Sequence, residues 1–170
     1  MEKFEIVCLR RWALLEHVIE RYKIKKIIEV GTLSGDIGKR ILREENIKLD
    51  LYLMIDKVIS KTCLDLEALF PEAKTIQALS SEAAKQIEND SIDLIFIDAD
   101  HTYEGCKADL IAYQSKIKKG GWMLVHDYHR GGGGGHPGVK LAVDEIWGTD
   151  FDFISDEGPN SARGITLRSF

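Results

Sequence analysis

The chain has 170 residues, 44% of them hydrophobic and 30% charged, with a formal charge of -5 and a pI near 5.6. That length suits one domain over residues 1–170 with a continuous core, and leaves no room for a separate substrate domain. No apolar run approaches the roughly 18 residues of a membrane span, the acidic balance offers no footprint for a nucleic-acid backbone, and Met1–Ile6 leads into no apolar secretory core. The expectation is a cytoplasmic protein with neither membrane nor nucleic acid as partner, its basic residues spread out except around Arg40, Arg43 and Lys116–Lys119.

Arg10–Tyr22 places Trp12, Leu15, Val18, Ile19 and Tyr22 at helical spacing, which predicts an amphipathic helix covering one face of the core; Phe4–Trp12 could double as a lid. Next comes KKIIEVGTLSGDIG, Lys25–Gly38. Ile27, Ile28 and Val30 read as a strand, Gly31 and Gly35 as a tight turn, and Ile37, Ile41 and Leu42 as a helix starting directly afterwards. Glycine at Gly31 permits a positive φ and a close ligand approach, and the helix start offers free N–H groups. The spacing G-x-x-x-G-x-x-G, with Glu29 two residues upstream, is not the dinucleotide fingerprint G-x-G-x-x-G.

Leu49–Ile55 is a second strand ending at Asp56, 25 residues beyond Gly31, where a carboxylate can take both ribose hydroxyls; a solvated turn aspartate is the bland alternative. Cys63–Phe70 reads as a helix stopped by Pro71, Thr75–Leu79 as a weak third strand, and Ser80 or Ser81 as the cap of another helix. The most apolar stretch, Ser91–Phe96, reads as a central strand ending in Asp98, Ala99, Asp100 and His101. A helix over Gly105–Ile117 follows, stopped by KKGG, then a fifth strand, Trp122–Val125, ending in His126 and Asp127. Tyr128–Gly138, with five successive glycines, reads as a mobile loop flanked by His129 and His136. Val139–Trp147 returns to helical spacing, and Phe151–Ile154 with Gly164–Arg168 form a closing antiparallel hairpin around Gly158–Asn160. Cys8, Cys63 and Cys106 are odd in number and lack metal-ligand spacing, so they read as packing thiols.

The E-x-G-x-x-x-G loop, FIDADHTYEGCKADL, GGWMLVHDYH and GVKLAVDEIW, taken in order over Ile27–Trp147, resemble the class I S-adenosylmethionine (SAM) dependent methyltransferases of family 24, whose relatives include cephalosporin-biosynthesis and macrolide-sugar O-methyltransferases. The resemblance implies a three-layer Rossmann-like α/β fold with a mostly parallel seven-stranded sheet of order 3-2-1-4-5-7-6, closed by the antiparallel hairpin. It further implies that Glu29 holds the methionine end of SAM, that Gly31 and Gly35 admit it, that Asp56 takes the ribose, and that Leu79 and Ser80 lie beside adenine. Asp98 and Asp127 match the aspartates that hold Mg²⁺ in catechol-type and sugar enzymes, with Asp98 also facing the cofactor. The match is imperfect, because the asparagine after the second aspartate, or the glutamate before it, is replaced here by Tyr128 and His126. His101, three residues after Asp98, is the expected general base, its ordinary pKa near 6.5 suiting proton removal at neutral pH; the alternative is a cap of the following helix. The expected reaction is methylation of a hydroxyl on a small molecule or sugar, since the Asn/Asp-Pro-Pro-Tyr stretch of amino-methylating enzymes is absent. A non-catalytic SAM-binding protein and a nicotinamide-dependent oxidoreductase are the competing readings. A small fold of this kind leaves room for a partner subunit to wall the pocket.

Overall fold

The computed structural model describes residues 10–131, 136–156 and 161–170. The helix α1 (Arg11–Tyr22) precedes β1 (Lys26–Val30), α2 (Asp36–Ile41), β2 (Leu51–Asp56), α3 (Lys61–Leu69) and β3 (Ala73–Gln77). Then come α4 (Ser80–Ala84), β4 (Ile92–Ile97), α5 (Tyr103–Gln114), β5 (Ile117–His129), α6 (Pro137–Trp147), β6 (Asp152–Ser155) and β7 (Arg163–Ser169). The sheet order is β3-β2-β1-β4-β5-β7-β6. The β1–β2, β1–β4, β2–β3 and β4–β5 pairs are parallel, whereas β7 runs antiparallel to both β5 and β6.

Alternation along the strands explains the three layers. Successive strand side chains face opposite sides of a sheet, so Ile27, Tyr52, Met54, Leu94, Phe96 and Leu124 pack with α1, α2 and α3. Ile28, Val30, Ile55, Ile95, Ile97 and Val125 pack instead with α4, α5 and α6. β4 is buried at every position, as a central parallel strand must be. The two described cysteines, Cys63 and Cys106, are buried thiols, while Cys8 lies outside the described residues.

Several boundaries differ from the sequence reading, and four of them have an identifiable cause. α5 ends at Gln114, before KKGG, and Ile117 already pairs with Ile92 in the sheet. β5 does not stop at Val125 but runs on to His129, because Tyr128 and His129 find partners in Gly164 and Arg163 of β7. Those two residues are therefore strand rather than mobile loop, Pro137 and Gly138 open α6, and only 132–135 of the glycine run lie outside the described residues. β3 occupies Ala73–Gln77, so Leu79 falls beyond it as the N-cap of α4. Ser80 consequently sits inside the helix and gives no side-chain cap; its hydroxyl donates to the Asp109 carboxylate.

Candidate active site

Reversal of strand order between β1 and β4 opens a crevice beyond their carboxyl ends. One wall is the turn after β1. Gly31 has φ +88 and Gly35 φ +81, both in the left-handed region. A Cβ on Gly31 would lie 2.2 Å from the Asp98 carbonyl oxygen, so the turn must be glycine to pack against the end of β4 as well as to turn. The Asp56 carboxylate braces the same turn, accepting from the Leu33 N–H at 2.9 Å and the Val58 N–H at 3.2 Å. A carboxylate has about four acceptor sites, so Asp56 keeps capacity for two more donors. Leu33, Val58 and Leu79 stand 80%, 67% and 63% exposed around it. These exposed apolar residues follow β1, β2 and β3, three neighbouring strands of the sheet, and the sequence pattern had pointed only to Leu79.

Glu29 is buried and accepts the Tyr52 hydroxyl at 2.8 Å. Burial pushes its carboxyl up to about 8 against the lowering effect of that bond. The unfolded chain ionises Glu29 from its ordinary 4.5 upward while the folded protein resists, so this residue costs stability progressively as pH climbs from about 4.5 to 8. Glu29→Gln, which keeps an acceptor for Tyr52, is expected to raise the unfolding temperature at pH 8 and to change it little at pH 4.5, as calorimetry would read.

The opposite wall comes from β4, β5 and β7. Val125 pairs with Thr166 and Tyr128 with Gly164, so one extra residue bulges from β5, and Asp127 adopts φ +59 there. That bulge turns His126 and Asp127 toward Asp98. His126 Nδ1 lies 3.2 Å from Asp98 Oδ1, and its Nε2 lies 2.7 Å from Asp156 Oδ2. Burial would lower the His126 pKa, but hydrogen bonds to Asp127, Asp156 and Asp98 overcome it and push the ring up to about 11. Both ring nitrogens face carboxylates, an arrangement that favours the imidazolium form. Asp127 accepts from Arg163 Nε at 2.8 Å, and Asp98 accepts from Arg11 Nη1 at 2.9 Å. Burial opposes ionisation of both aspartates, yet His126 and Arg163 hold Asp127 at about 2, and His101, His126 and Arg11 hold Asp98 well below the usual carboxylate range. Asp98, Asp127 and Asp156 thus face three cations, Arg11, Arg163 and His126.

His101 joins this network through one nitrogen. Its Nε2 lies 3.1 Å from Asp127 Oδ2 and 3.4 Å from Asp98 Oδ1, while its Nδ1 has no partner among the described residues. It does not cap α5, since Thr102 accepts the Gly105 N–H there. Asp100 accepts the Thr102 N–H rather than touching His101. His136, which flanks the glycine run, stacks on His101 with ring centroids 4.1 Å apart and brings Nε2 within 3.7 Å of Asp127. Of the sequence-derived residues, Glu29, Gly31, Asp56, Asp98, His101 and Asp127 converge on this edge; Gly35 supports the turn from above Cys63, and Ser80 is committed to Asp109. Arg11, Asp156 and Arg163 escaped the sequence reading, whereas His136 was singled out there only for its place beside the glycine run.

This sheet order, with its crevice at the β1/β4 switch point, defines the class I methyltransferase fold. A family model described as a methyltransferase domain matches residues 28–128, and the chain belongs to that family, methyltransferase family 24. A protein from Acanthamoeba polyphaga mimivirus, uncharacterized protein R132, is 26% identical over 114 residues, 67% of this chain and 46% of its own, so the chain spans about half the length of that relative. Among solved structures, cofactor-bound Rv0187 from MTB superposes with a TM-score of 0.73 at 17% identity, covering 92% of this chain and 78% of its own. The O-methyltransferase from Bacillus cereus in complex with SAH gives 0.72 at 16% identity, covering 94% and 80%. Among the described residues no helix is long and apolar enough to cross a membrane.

Proposed function

We propose that this protein transfers a methyl group from SAM to a hydroxyl of a small molecule or sugar. The observation that carries the reading is the His101 ring, held through Nε2 by two aspartates at the edge where Gly31 and Asp56 face the same crevice. The turn fits SAM: Asp56 retains capacity for two ribose hydroxyls, and the exposed Leu33, Val58 and Leu79 offer an apolar bed for adenine. Glu29 at the floor suits an ammonium, whose approach would favour its ionised form. Bound SAM supplies an electrophilic methyl on a sulfonium. The chain's own task is to hold the acceptor and take its proton. With Nε2–H directed at Asp127 and Asp98, the lone pair of His101 Nδ1 accepts the hydroxyl proton, and the two carboxylates stabilise the imidazolium that results.

Mg²⁺ does not suit these donors. A hard ion takes carboxylate and water oxygens, whereas Asp98 and Asp127 already carry Arg11, Arg163, His101 and His126, and the ligand-bearing groups here mix imidazole nitrogen with carboxylate. The three cations do the charge-balancing that an ion would do. Turnover is therefore expected to stay within about twofold after exhaustive chelation of divalent ions; a loss restored by Mg²⁺ would return Asp98 and Asp127 to the role of metal ligands.

The hydrogen bond to Asp98 raises the His101 pKa above 6.5, against the lowering effect of burial and with help from Asp127. A general base works only when unprotonated. The rate of methyl transfer is expected to climb with pH through a value above 6.5, and Asp98→Asn is expected to move that limb downward. Turnover with SAM measured across a panel of hydroxyl compounds tests the proposed activity itself.

A further inference from the structure

We infer that the groove between α1 and α2 binds an anionic group, a phosphate or a carboxylate, carried by the methyl acceptor. This deepens the methyltransferase reading and rests on it for the word acceptor, though not for the anion. The groove encloses about 470 Å³ and is lined by Arg11, Trp12, Lys39, Arg40 and Arg43, with Asp36 and Glu44 also at its wall. The lining carries four cations against two carboxylates on a chain whose net charge is -5, so basic groups are locally in excess, although Arg11 and Arg40 each also pair with an acid.

The cations are arranged for a ligand and not for each other. The Arg40 guanidinium lies 3.4 Å over the Trp12 ring while its Nε is held at 3.1 Å by Glu16, which fixes its plane without occupying its terminal nitrogens. Lys39 and Arg43 have no partner among the described residues, and the Arg43 N–H bonds to the Arg40 carbonyl, continuing the turn of α2 so that the two charges stand four residues apart. Like charges at that spacing repel, and an oxyanion between them relieves the repulsion. Ser34 donates to Asp36, tying that carboxylate to the turn. Arg11 closes the argument: it lines the groove and also bonds Asp98, so the anion site begins at the reaction centre. An acceptor with its hydroxyl at His101 and its anion against Lys39, Arg40 and Arg43 would span from one to the other past Arg11.

The test is a titration of the isotope-labelled 170-residue protein with inorganic pyrophosphate and, separately, with citrate, followed by amide NMR. Saturable shifts are expected at Arg11, Trp12 and residues 36–44, with the tighter probe identifying phosphate or carboxylate as the recognised group. Lys39→Ala/Arg43→Ala is expected to weaken the tighter probe at least about tenfold, whereas Lys74→Ala/Lys119→Ala, at exposed lysines without a side-chain partner among the described residues, is expected to leave it unchanged. Absence of saturable shifts with both probes, or equal binding by the groove variant, would overturn the inference. S-adenosylhomocysteine affinity on the same samples reports separately on the cofactor site: loss there with the groove still binding anions counts against the methyltransferase reading, not against the anion site.

Discussion

His101→Ala is expected to slow methyl transfer by at least about a hundredfold while leaving affinity for SAM and S-adenosylhomocysteine close to that of the wild type. A positioned general base contributes roughly 10² to 10⁴ in rate, and here positioning is supplied by two carboxylates on one nitrogen, at 3.1 and 3.4 Å. Gly31 and Asp56, the groups proposed to receive the cofactor, lie on the other wall and touch His101 nowhere. A fall in kcat with an unaltered cofactor Kd is therefore the signature of lost proton transfer, and single-turnover kinetics would isolate it from product release. Removing His101 also takes away one partner of Asp98 and Asp127, but Arg11, Arg163 and His126 still hold both ionised. Unaltered turnover would remove His101 from the mechanism.

Gly31→Ala is expected to unfold the protein or lower its melting temperature by roughly 10 °C or more. Two penalties add at this position. A side chain at φ +88 costs about 1–2 kcal/mol, and the new Cβ would sit 2.2 Å from the Asp98 carbonyl oxygen and 2.7 Å from Ala99 Cα. Both neighbours are backbone at the end of the central strand, so relief requires β1 and β4 to part where Asp98 N–H bonds the Val30 carbonyl at 2.9 Å. Overpacking of that kind costs about 1–3 kcal/mol, and 3 kcal/mol or more is a large share of an ordinary domain's stability. Thermal unfolding followed by circular dichroism checks it. Gly120→Ala, at φ +81 but with open space around it, bears only the conformational part and is expected to melt at a higher temperature than Gly31→Ala.

Much of this was legible in the chain because parallel strands buried on both faces leave continuous apolar runs, and because their polar ends fall on one edge. Glu29, Gly31, Asp56, Asp98 and His101 each terminate or follow such a run, so order along the chain sufficed to bring them together. The closing hairpin was readable too, from two short apolar runs on either side of a polar stretch, whereas the sheet order came from the family resemblance. Residues delivered by long-range packing were not. Arg163 reaches Asp127 only because the bulge in β5 slips the register of β7 by one residue, and no local spacing announces a bulge. Arg11 looks like any solvent-facing helix residue until its helix is laid over the end of β4. Ser80 fits the preference for serine at helix starts, yet the buried Asp109 carboxylate claims its hydroxyl, a tertiary contact overriding a local one.

In the proposed function, the crevice between the Gly31 turn and Asp98 receives an adenosyl group whose ribose is anchored by Asp56. Isothermal calorimetry with S-adenosylhomocysteine on the wild type and on Asp56→Ala tests it most directly. Saturable one-to-one binding is expected for the wild type, weakened roughly tenfold to a hundredfold by loss of the charge-assisted hydrogen bonds. Absence of binding by a folded wild type, or identical affinity in the two proteins, would contradict it.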